Sequence, residues 1–281
     1  MKANSFFFLL FTAFITPCIY AQERIITAGS AITETVCALG DCDKIIASDR
    51  TSLYPTKIQQ LPSIGYRSGI NAEGILSLKP TLIIAEKDYV DEAVISQLSS
   101  TGIKLVIIDR KNNVNDTKNF ITQIATALHR ETEGKKLIRG IEQEVADTKA
   151  LLQKATANPK VLCIYNRGTA SVSIAGTDTF SEILKYVGAT NAITSVEGYK
   201  PLNTEALIAA NPDYILMVAT GFESLGGMEG MLKVPGVAQT TAGKKKQIIA
   251  LDALMLTNFG PRFGQAVREL VTLLHPELAA K

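Results

Sequence analysis

Two tyrosines that each precede a cation are the residues best suited to chemistry in this 281-residue chain. Tyr66 lies in "SIGYRSG" and is followed by Arg67, and Tyr199 lies in "VEGYKPL" and is followed by Lys200. A neighbouring positive charge makes a phenol easier to ionise, and a phenolate is a hard anionic donor that suits ferric iron. The cations can also bind carboxylates of a ligand. In the alternative interpretation, each tyrosine lies at the edge of a domain with its hydroxyl in water.

The rest of the sequence argues against the common kinds of enzyme site. His129 in "ALHRET" and His275 in "LLHPEL" are the two histidines, and the pattern places both in helices or at helix ends. The GxSxG nucleophile motif is absent, and the turns "GTDTFSE" and "GSAITE" lack the lysine of a phosphate-binding loop. We therefore expect a non-catalytic protein. The rival class, an exported hydrolase or metal-dependent enzyme, would need a nucleophile–base pair or a histidine-rich metal site.

The amino terminus predicts export. Residues 1–21 combine Lys2, the apolar run "FFFLLFTAFI" and a small residue, Ala21, as a secretory signal does. Ten apolar residues are too few to span a bilayer. Cys18 in "ITPC" loosely resembles a lipid-attachment site, but Pro17 fits that pattern badly, so we expect a periplasmic protein without a lipid anchor. The formal net charge of +2 gives no reason to expect nucleic acid as a partner, and we expect a monomer.

Cys37 and Cys42 are predicted to form a structural disulfide. They lie at the end of one predicted helix and in the turn that follows it, and export permits disulfide formation. The spacing is not that of a metal site, because no second pair of ligands accompanies it. Two free thiols are the alternative.

The chain is predicted to contain the same α/β unit twice. Apolar runs such as "TLIIAE" and "YILMVA" alternate with helical patterns, which indicates parallel sheets covered on both faces. "NAEGILSLKPTLIIA" and "NTEALIAANPDYILM" align at a shift of 132 residues, which pairs Glu73 with Glu205. "ITETVCALG" and "FSEILKYVG" align at a shift of 148 residues and pair Glu34 with Glu182. Two matches in the same order favour a duplicated lobe.

A helical segment without proline, residues 116–155, separates the two units. Its apolar spacing predicts either one short and one long helix or a single kinked helix. We predict two Rossmann-like lobes, residues 22–130 and 158–281, each with a central parallel sheet, joined by a connecting helix at residues 131–157. Ligand sites favour interfaces between such lobes and the carboxyl ends of strands, so we expect a ligand cleft between them.

Five segments together resemble a known family: "TSLYP", "IGYRSGINAEGILSLKP", "GYKPLNTEAL", "ESLGGMEGMLKVPGVAQTTAG" and "ALDALMLTNFGPR". The chain resembles the periplasmic haem-binding proteins of bacterial haem ABC importers, within the wider group that binds siderophores and cobalamin. The resemblance covers nearly the whole mature chain. It implies two α/β lobes joined by a long helix, and an exported carrier that passes haem to an inner-membrane ABC permease.

The resemblance also implies roles for individual residues. Tyr66 corresponds to the haem iron ligand of the family, and Arg67 would hold the phenolate or a haem propionate. Glu73 and Glu205 correspond to the acidic residues, one per lobe, that dock on the permease. Both glutamates also suit the positive end of a helix dipole, which is the alternative explanation.

The second lobe departs from the family pattern. Some members have a histidine near the first strand of this lobe, where this chain reads "CIYNRGTAS" with Tyr165 and Arg167, and Thr220 replaces a frequent arginine. The resemblance therefore leaves open whether Tyr199, Arg167 or neither contacts the ligand, and one haem is favoured over two stacked haems. A ferric siderophore or cobalamin carrier of the same fold is the alternative, and a sensor or adhesin without a transport role is a third.

Overall fold

Two β-sheets organise the chain. The computed structural model describes residues 23–111, 113–166 and 172–279; the predicted signal segment, Cys18 and Arg167 lie outside them. The strands are β1 (Ile25–Ala28), β2 (Ile45–Ser48), β3 (Leu82–Glu86), β4 (Lys104–Ile108), β5 (Lys160–Asn166), β6 (Val172–Ala175), β7 (Thr190–Asn191), β8 (Tyr199–Pro201), β9 (Tyr214–Val218) and β10 (Ile248–Leu251).

Helices cover both sheets. The α-helices are α1 (Ser30–Ala38), α2 (Ala72–Ser77), α3 (Glu92–Ser99), α4 (Val114–Ala127), α5 (Glu131–Leu152), α6 (Thr204–Ala210), α7 (Ala219–Ser224), α8 (Gly227–Lys233), α9 (Thr241–Lys245), α10 (Ala253–Thr257), α11 (Phe263–Leu274) and α12 (Pro276–Ala279). Short 3-10 helices span Cys42–Lys44, Thr56–Gln60, Arg67–Gly69, Phe180–Tyr186 and Val237–Gln239.

The two sheets share one parallel framework. The first sheet has the order β2-β1-β3-β4 with every pair parallel. In the second sheet, β7, β5, β9 and β10 are parallel in the corresponding order, β7-β5-β9-β10. The prediction of two α/β lobes is confirmed.

The second sheet is mixed, however, and not wholly parallel as the apolar runs suggested. β6 runs antiparallel to both β5 and β8. Five residues separate β5 from β6, which is too short for the crossover that a parallel pair requires. The difference from the first lobe is therefore an antiparallel pair, β6 and β8, added along the same edge of β5 that β7 occupies.

The internal repeat is confirmed in three dimensions. Asn71 and Asn203 cap α2 and α6 in the same way, each accepting a hydrogen bond from the backbone N–H three residues later at 2.8 and 2.9 Å. The chain then passes through a left-handed residue, Lys79 or Asn211, with φ of 51° and 41°. A proline follows in both lobes, and β3 and β9 begin at equivalent positions.

Two helices connect the lobes, which agrees with the first of the two predicted alternatives. α4 ends where His129 adopts a left-handed φ of 56°, and the 22-residue α5 begins at Glu131 as predicted. α5 ends at Leu152, before the predicted end at residue 157. Pro159 disfavours a helical conformation at the residue before it, and the chain leaves the helix ahead of this point.

The hydrophobic core has three parts. One cluster includes Ile25 of β1 and Val161 of β5 together with buried residues of α1, α4, α5 and α11, so the two lobes share it. Separate clusters lie on the other face of each sheet, under α2 and α3 in the first lobe and under α6 and α8 in the second. The predicted disulfide joins Cys37 to Cys42. Within the described ranges, no helix has the length and apolar character needed to cross a membrane.

Candidate functional site

The loop of Tyr66 is fixed against the carboxyl end of the first sheet. Ile64 donates its N–H to Ser48 O at the end of β2, at 2.9 Å, and Arg50 donates its N–H to Gly65 O at 2.9 Å. Gly65 has a φ of 105°, and a Cβ there would lie 3.0 Å from Gly69 O. A side chain at this position would be strained, so glycine is needed to present Tyr66 in this way.

Tyr66 lies beside a second tyrosine and a guanidinium group. Its ring is half-buried and meets the ring of Tyr89 edge-to-face, with 6.3 Å between centroids. The guanidinium carbon of Arg67 is 5.8 Å from the centroid of Tyr66 and 5.0 Å from that of Tyr89. The Arg67 guanidinium thus lies beside both rings, and the ligand roles expected for Tyr66 and Arg67 stay predictions.

A buried carboxylate fixes Tyr89. Asp49 is 2% exposed and accepts hydrogen bonds from the hydroxyls of Tyr89 and Ser52 at 2.5 and 2.6 Å and from Gly29 N at 2.9 Å. Burial, and to a smaller extent the hydrogen bond to Asp49, raises the pKa of Tyr89 well above its usual range. Tyr89 therefore acts as a neutral hydrogen-bond donor to Asp49.

Sequence reasoning missed Asp49 and Tyr89. Their positions in the sequence could have pointed to them, because Asp49 directly follows β2 and Tyr89 lies three residues after β3. Side chains that follow parallel strands gather at the same edge of a sheet, where ligands bind.

A polar cluster joins the two lobes. Glu34, on α1 of the first lobe, is 3% exposed and accepts hydrogen bonds from Arg262 Nε at 2.8 Å and Asn258 Nδ2 at 3.3 Å. Arg262 also bonds to Asp252, which directly follows β10, and Ser30 Oγ donates to Asn258 Oδ1 at 2.9 Å. Burial alone would lower the pKa of Arg262, but its hydrogen bond to Glu34 and the negative charges of Glu34 and Asp252 keep the pKa above its ordinary value. This cluster holds the carboxyl edges of the two sheets next to each other.

The second lobe presents its tyrosine differently. Tyr199 lies in the edge strand β8 and not in a glycine-rich turn, it is 46% exposed, and its ring lies 5.1 Å from that of Tyr165. Lys200 is exposed and pairs with Ile174 of β6. The glycine-rich stretch with Thr220 forms α7 and α8 instead of an open loop. The positions of Tyr66 and Tyr199 in the two lobes are thus similar in sequence but different in local structure.

Glu73 and Glu205 occupy equivalent exposed positions. Each lies in the first turn of its helix, two residues after the capping asparagine. Both can interact with the positive end of the helix dipole and still be reached by a partner.

Neither histidine belongs to this site. His129 is exposed after α4, and His275 is fully buried with Nε2 2.8 Å from Val187 O. No group of three or more His, Cys, Asp or Glu side chains in the described part of the chain could hold a metal ion. A groove of about 480 Å³ between the carboxyl end of α1 and α5 includes none of the site residues.

A family comparison agrees with this geometry. A family model described as "Periplasmic binding protein" matches residues 25–254, most of the chain. The chain belongs to this family. The position of the candidate site, at the carboxyl edges of two linked α/β lobes, is where a two-lobe binding protein would hold its ligand.

Solved structures of haem-binding members are similar to this periplasmic binding protein. The apo form of the periplasmic heme-binding protein RhuT from Roseiflexus sp. RS-1 is 36% identical, with a TM-score of 0.87, covering 92% of this chain and 100% of that one. The periplasmic heme-binding protein BhuT, in complex with two hemes, is 33% identical with a TM-score of 0.85. The match covers 91% of this chain and 99% of BhuT. The predicted resemblance to haem-binding members is confirmed.

Curated relatives include one named for another ligand and one named for no ligand. A vitamin B12-binding protein of Vibrio vulnificus is 25% identical over 96% of this chain and 96% of its own length. A Bacillus subtilis protein named as an uncharacterized ABC transporter substrate-binding lipoprotein, YvrC, is 25% identical over 91% of this chain and 81% of its own length. The relatives thus include both haem and cobalamin binders.

Proposed function

We propose that this periplasmic binding protein captures haem between its lobes through a bond from the Tyr66 phenolate to the ferric iron. The observation that supports this most directly is the position of Tyr66, which is half-buried beside the guanidinium of Arg67 and against the ring of Tyr89. The haem-binding neighbours, at 36% and 33% identity over nearly the full chain, support the same ligand.

In this proposal, charge and burial have separate roles. Arg67 stabilises the phenolate of Tyr66, which must lose its proton to bind iron as an anion. Affinity comes largely from burying the flat apolar macrocycle between the lobes. Lys200, and Arg167 outside the described residues, are the proposed second-lobe partners for the propionates, and Tyr199 is a proposed aromatic contact.

Delivery requires a membrane partner. We place Glu73 and Glu205 at the contact with the two halves of an inner-membrane ABC permease, because they are exposed and equivalent by the internal repeat. The protein would be exported to the periplasm and act as a monomer. Glu73→Lys and Glu205→Lys should abolish stimulation of permease ATPase activity by the haem-loaded protein, while hemin binding stays unchanged. A double variant that still stimulates the permease would exclude this docking surface.

The ligand is tested by titrating the purified mature protein with hemin and, separately, with cyanocobalamin and ferric citrate. We expect a ferric tyrosinate-type visible spectrum with one hemin bound per chain. Tight binding of cyanocobalamin without any hemin-induced change would favour the cobalamin function that the curated relatives suggest. The stoichiometry also separates one bound haem from the two present in the BhuT complex.

A further inference from the structure

Two neighbouring apolar side chains are exposed on the loop that follows β2. Leu53 is 51% exposed and Tyr54 is 43% exposed. Large apolar side chains are common on surfaces when they occur singly, but an adjacent exposed pair next to a ligand site calls for an explanation. The exposed large hydrophobic residues elsewhere in the described chain include Leu273, which lies on α11 away from the loop.

The loop itself is held firmly. Ser52 is 3% exposed, and its hydroxyl bonds to Asp49 Oδ1 and to Thr33 Oγ1, each at 2.6 Å. Gln59 Nε2 donates to Leu53 O at 2.8 Å. The exposure of Leu53 therefore results from a tethered backbone and not from a loosely held segment. Apolar groups on a tethered loop lose little entropy when they bind a ligand.

The same loop lies between the candidate iron ligand and the interface of the lobes. Asp49 binds Ser52 with one oxygen and Tyr89 with the other, so the loop and the neighbour of Tyr66 share one carboxylate. At its other end, the ring of Tyr54 lies 3.9 Å from the guanidinium carbon of Arg262.

Arg262 is already occupied by two carboxylates. Its guanidinium bonds to Glu34 of the first lobe and to Asp252 of the second. Arg262 therefore packs against one face of the Tyr54 ring, and the other face is available to a partner. A flat, apolar partner that also reaches Tyr66 fits this surface, because aromatic rings pack well against planar groups.

Resting on the proposed haem function, we infer that Leu53 and Tyr54 form an apolar contact surface for the porphyrin macrocycle. Tyr66 then supplies the iron bond, and the loop after β2 supplies contact with the porphyrin itself. The two contributions differ in one respect that can be measured, since the surface of Leu53 and Tyr54 does not depend on iron.

The test compares hemin with iron-free protoporphyrin IX on the full mature chain. Leu53→Ser should weaken the affinity for both porphyrins by about tenfold, as expected for removing one apolar side chain from a buried contact. Tyr66→Phe should weaken hemin binding far more than binding of the iron-free porphyrin. Leu273→Ser is the matched control, because Leu273 is similarly exposed at 42%, and it should change neither affinity.

Tyr54→Ala and Tyr54→Phe extend the test to the ring. Tyr54→Ala should reduce both affinities and Tyr54→Phe should restore them, with the tyrosinate spectrum of bound hemin retained throughout. If Tyr54→Ala fails to fold, Leu53→Ser decides alone, since an exposed leucine can be replaced at little cost in stability. Wild-type affinity for both porphyrins in Leu53→Ser would overturn the inference while leaving the haem function intact. Failure of the wild-type protein to bind hemin would instead overturn the proposed function and this inference with it.

Discussion

The two lobes have the same parallel framework but different carboxyl edges. In the first lobe, Gly65, Asp49 and Tyr89 hold Tyr66 in one orientation through hydrogen bonds and ring contacts. In the second lobe, the antiparallel strands β6 and β8 extend the corresponding edge, and Tyr199 lies in an exposed edge strand. Duplication has thus preserved the elements that build a lobe, whereas the residues at the carboxyl edge differ between the copies. Function belongs to sites added to a fold and not to the fold itself.

The largest expected difference between the copies is in stability, at the glutamates that the repeat aligns. Glu34→Gln should destabilise the protein by about 3 kcal/mol, because it removes the buried charge of the pair and leaves the partly buried Arg262 without its main charged partner. Glu182→Gln should cost less than about 1 kcal/mol, since its partner Lys185 is largely exposed. Urea denaturation of both variants measures this. If both variants lost the same free energy of unfolding, the polar cluster between the lobes would contribute no more to stability than a surface ion pair.

The next comparison concerns the two tyrosines. Tyr66→Phe should abolish the tyrosinate band of bound hemin and lower the affinity about a hundredfold, since losing even an outer-shell partner of a metal ligand costs about 10–100-fold. Tyr199→Phe retains the ring contact with Tyr165, so it should leave the band unchanged and alter the affinity little. Visible spectroscopy with hemin titration distinguishes the two. A band that is lost in Tyr199→Phe and kept in Tyr66→Phe would move the ligand to the second lobe.

The sequence was sufficient to predict what local patterns determine. The helix starts that hold Glu73 and Glu205 and the disulfide between Cys37 and Cys42 depend on residues close together in the chain. The network around Asp49 depends on residues up to 40 positions apart, which periodicity does not bring together. The mixed second sheet was missed because apolar runs indicate burial on both faces but not strand direction.

A third comparison concerns Asp41, whose counterpart after the repeated helix is Ala189. Asp41 is 1% exposed, and Arg130 bonds to both of its oxygens, at 2.7 and 3.2 Å. Burial alone would raise the pKa of Asp41, but the hydrogen bonds from Arg130 and Lys44 lower it below its ordinary value of 3.8. The stabilisation is therefore complete above pH 3.8 and is lost as the pH falls through the lower, folded-state pKa.

Asp41→Asn should lower the melting temperature by a few degrees at pH 7. The difference in melting temperature between the variant and the wild type should narrow as the pH falls below 3.8. Asp43→Asn is the control, because the Asp43 side chain is 89% exposed in its ion pair with Lys57. It should change the melting temperature little at any pH. A gap for Asp41→Asn that stays constant down to pH 2 would show that the charge of Asp41 does not contribute to stability.

The smallest expected effects are at the helix caps, where the lobes should respond alike. Asn71→Ala and Asn203→Ala each remove one side-chain acceptor from the first turn of a short helix, which costs about 1 kcal/mol. Asn71→Asp and Asn203→Asp keep the acceptor and should restore most of the stability. Because α2 and α6 also hold Glu73 and Glu205, the alanine variants should weaken permease stimulation at temperatures near the melting transition, without changing hemin affinity. Unequal losses at the two caps would show that the lobes differ in their helix framework as well as at their carboxyl edges.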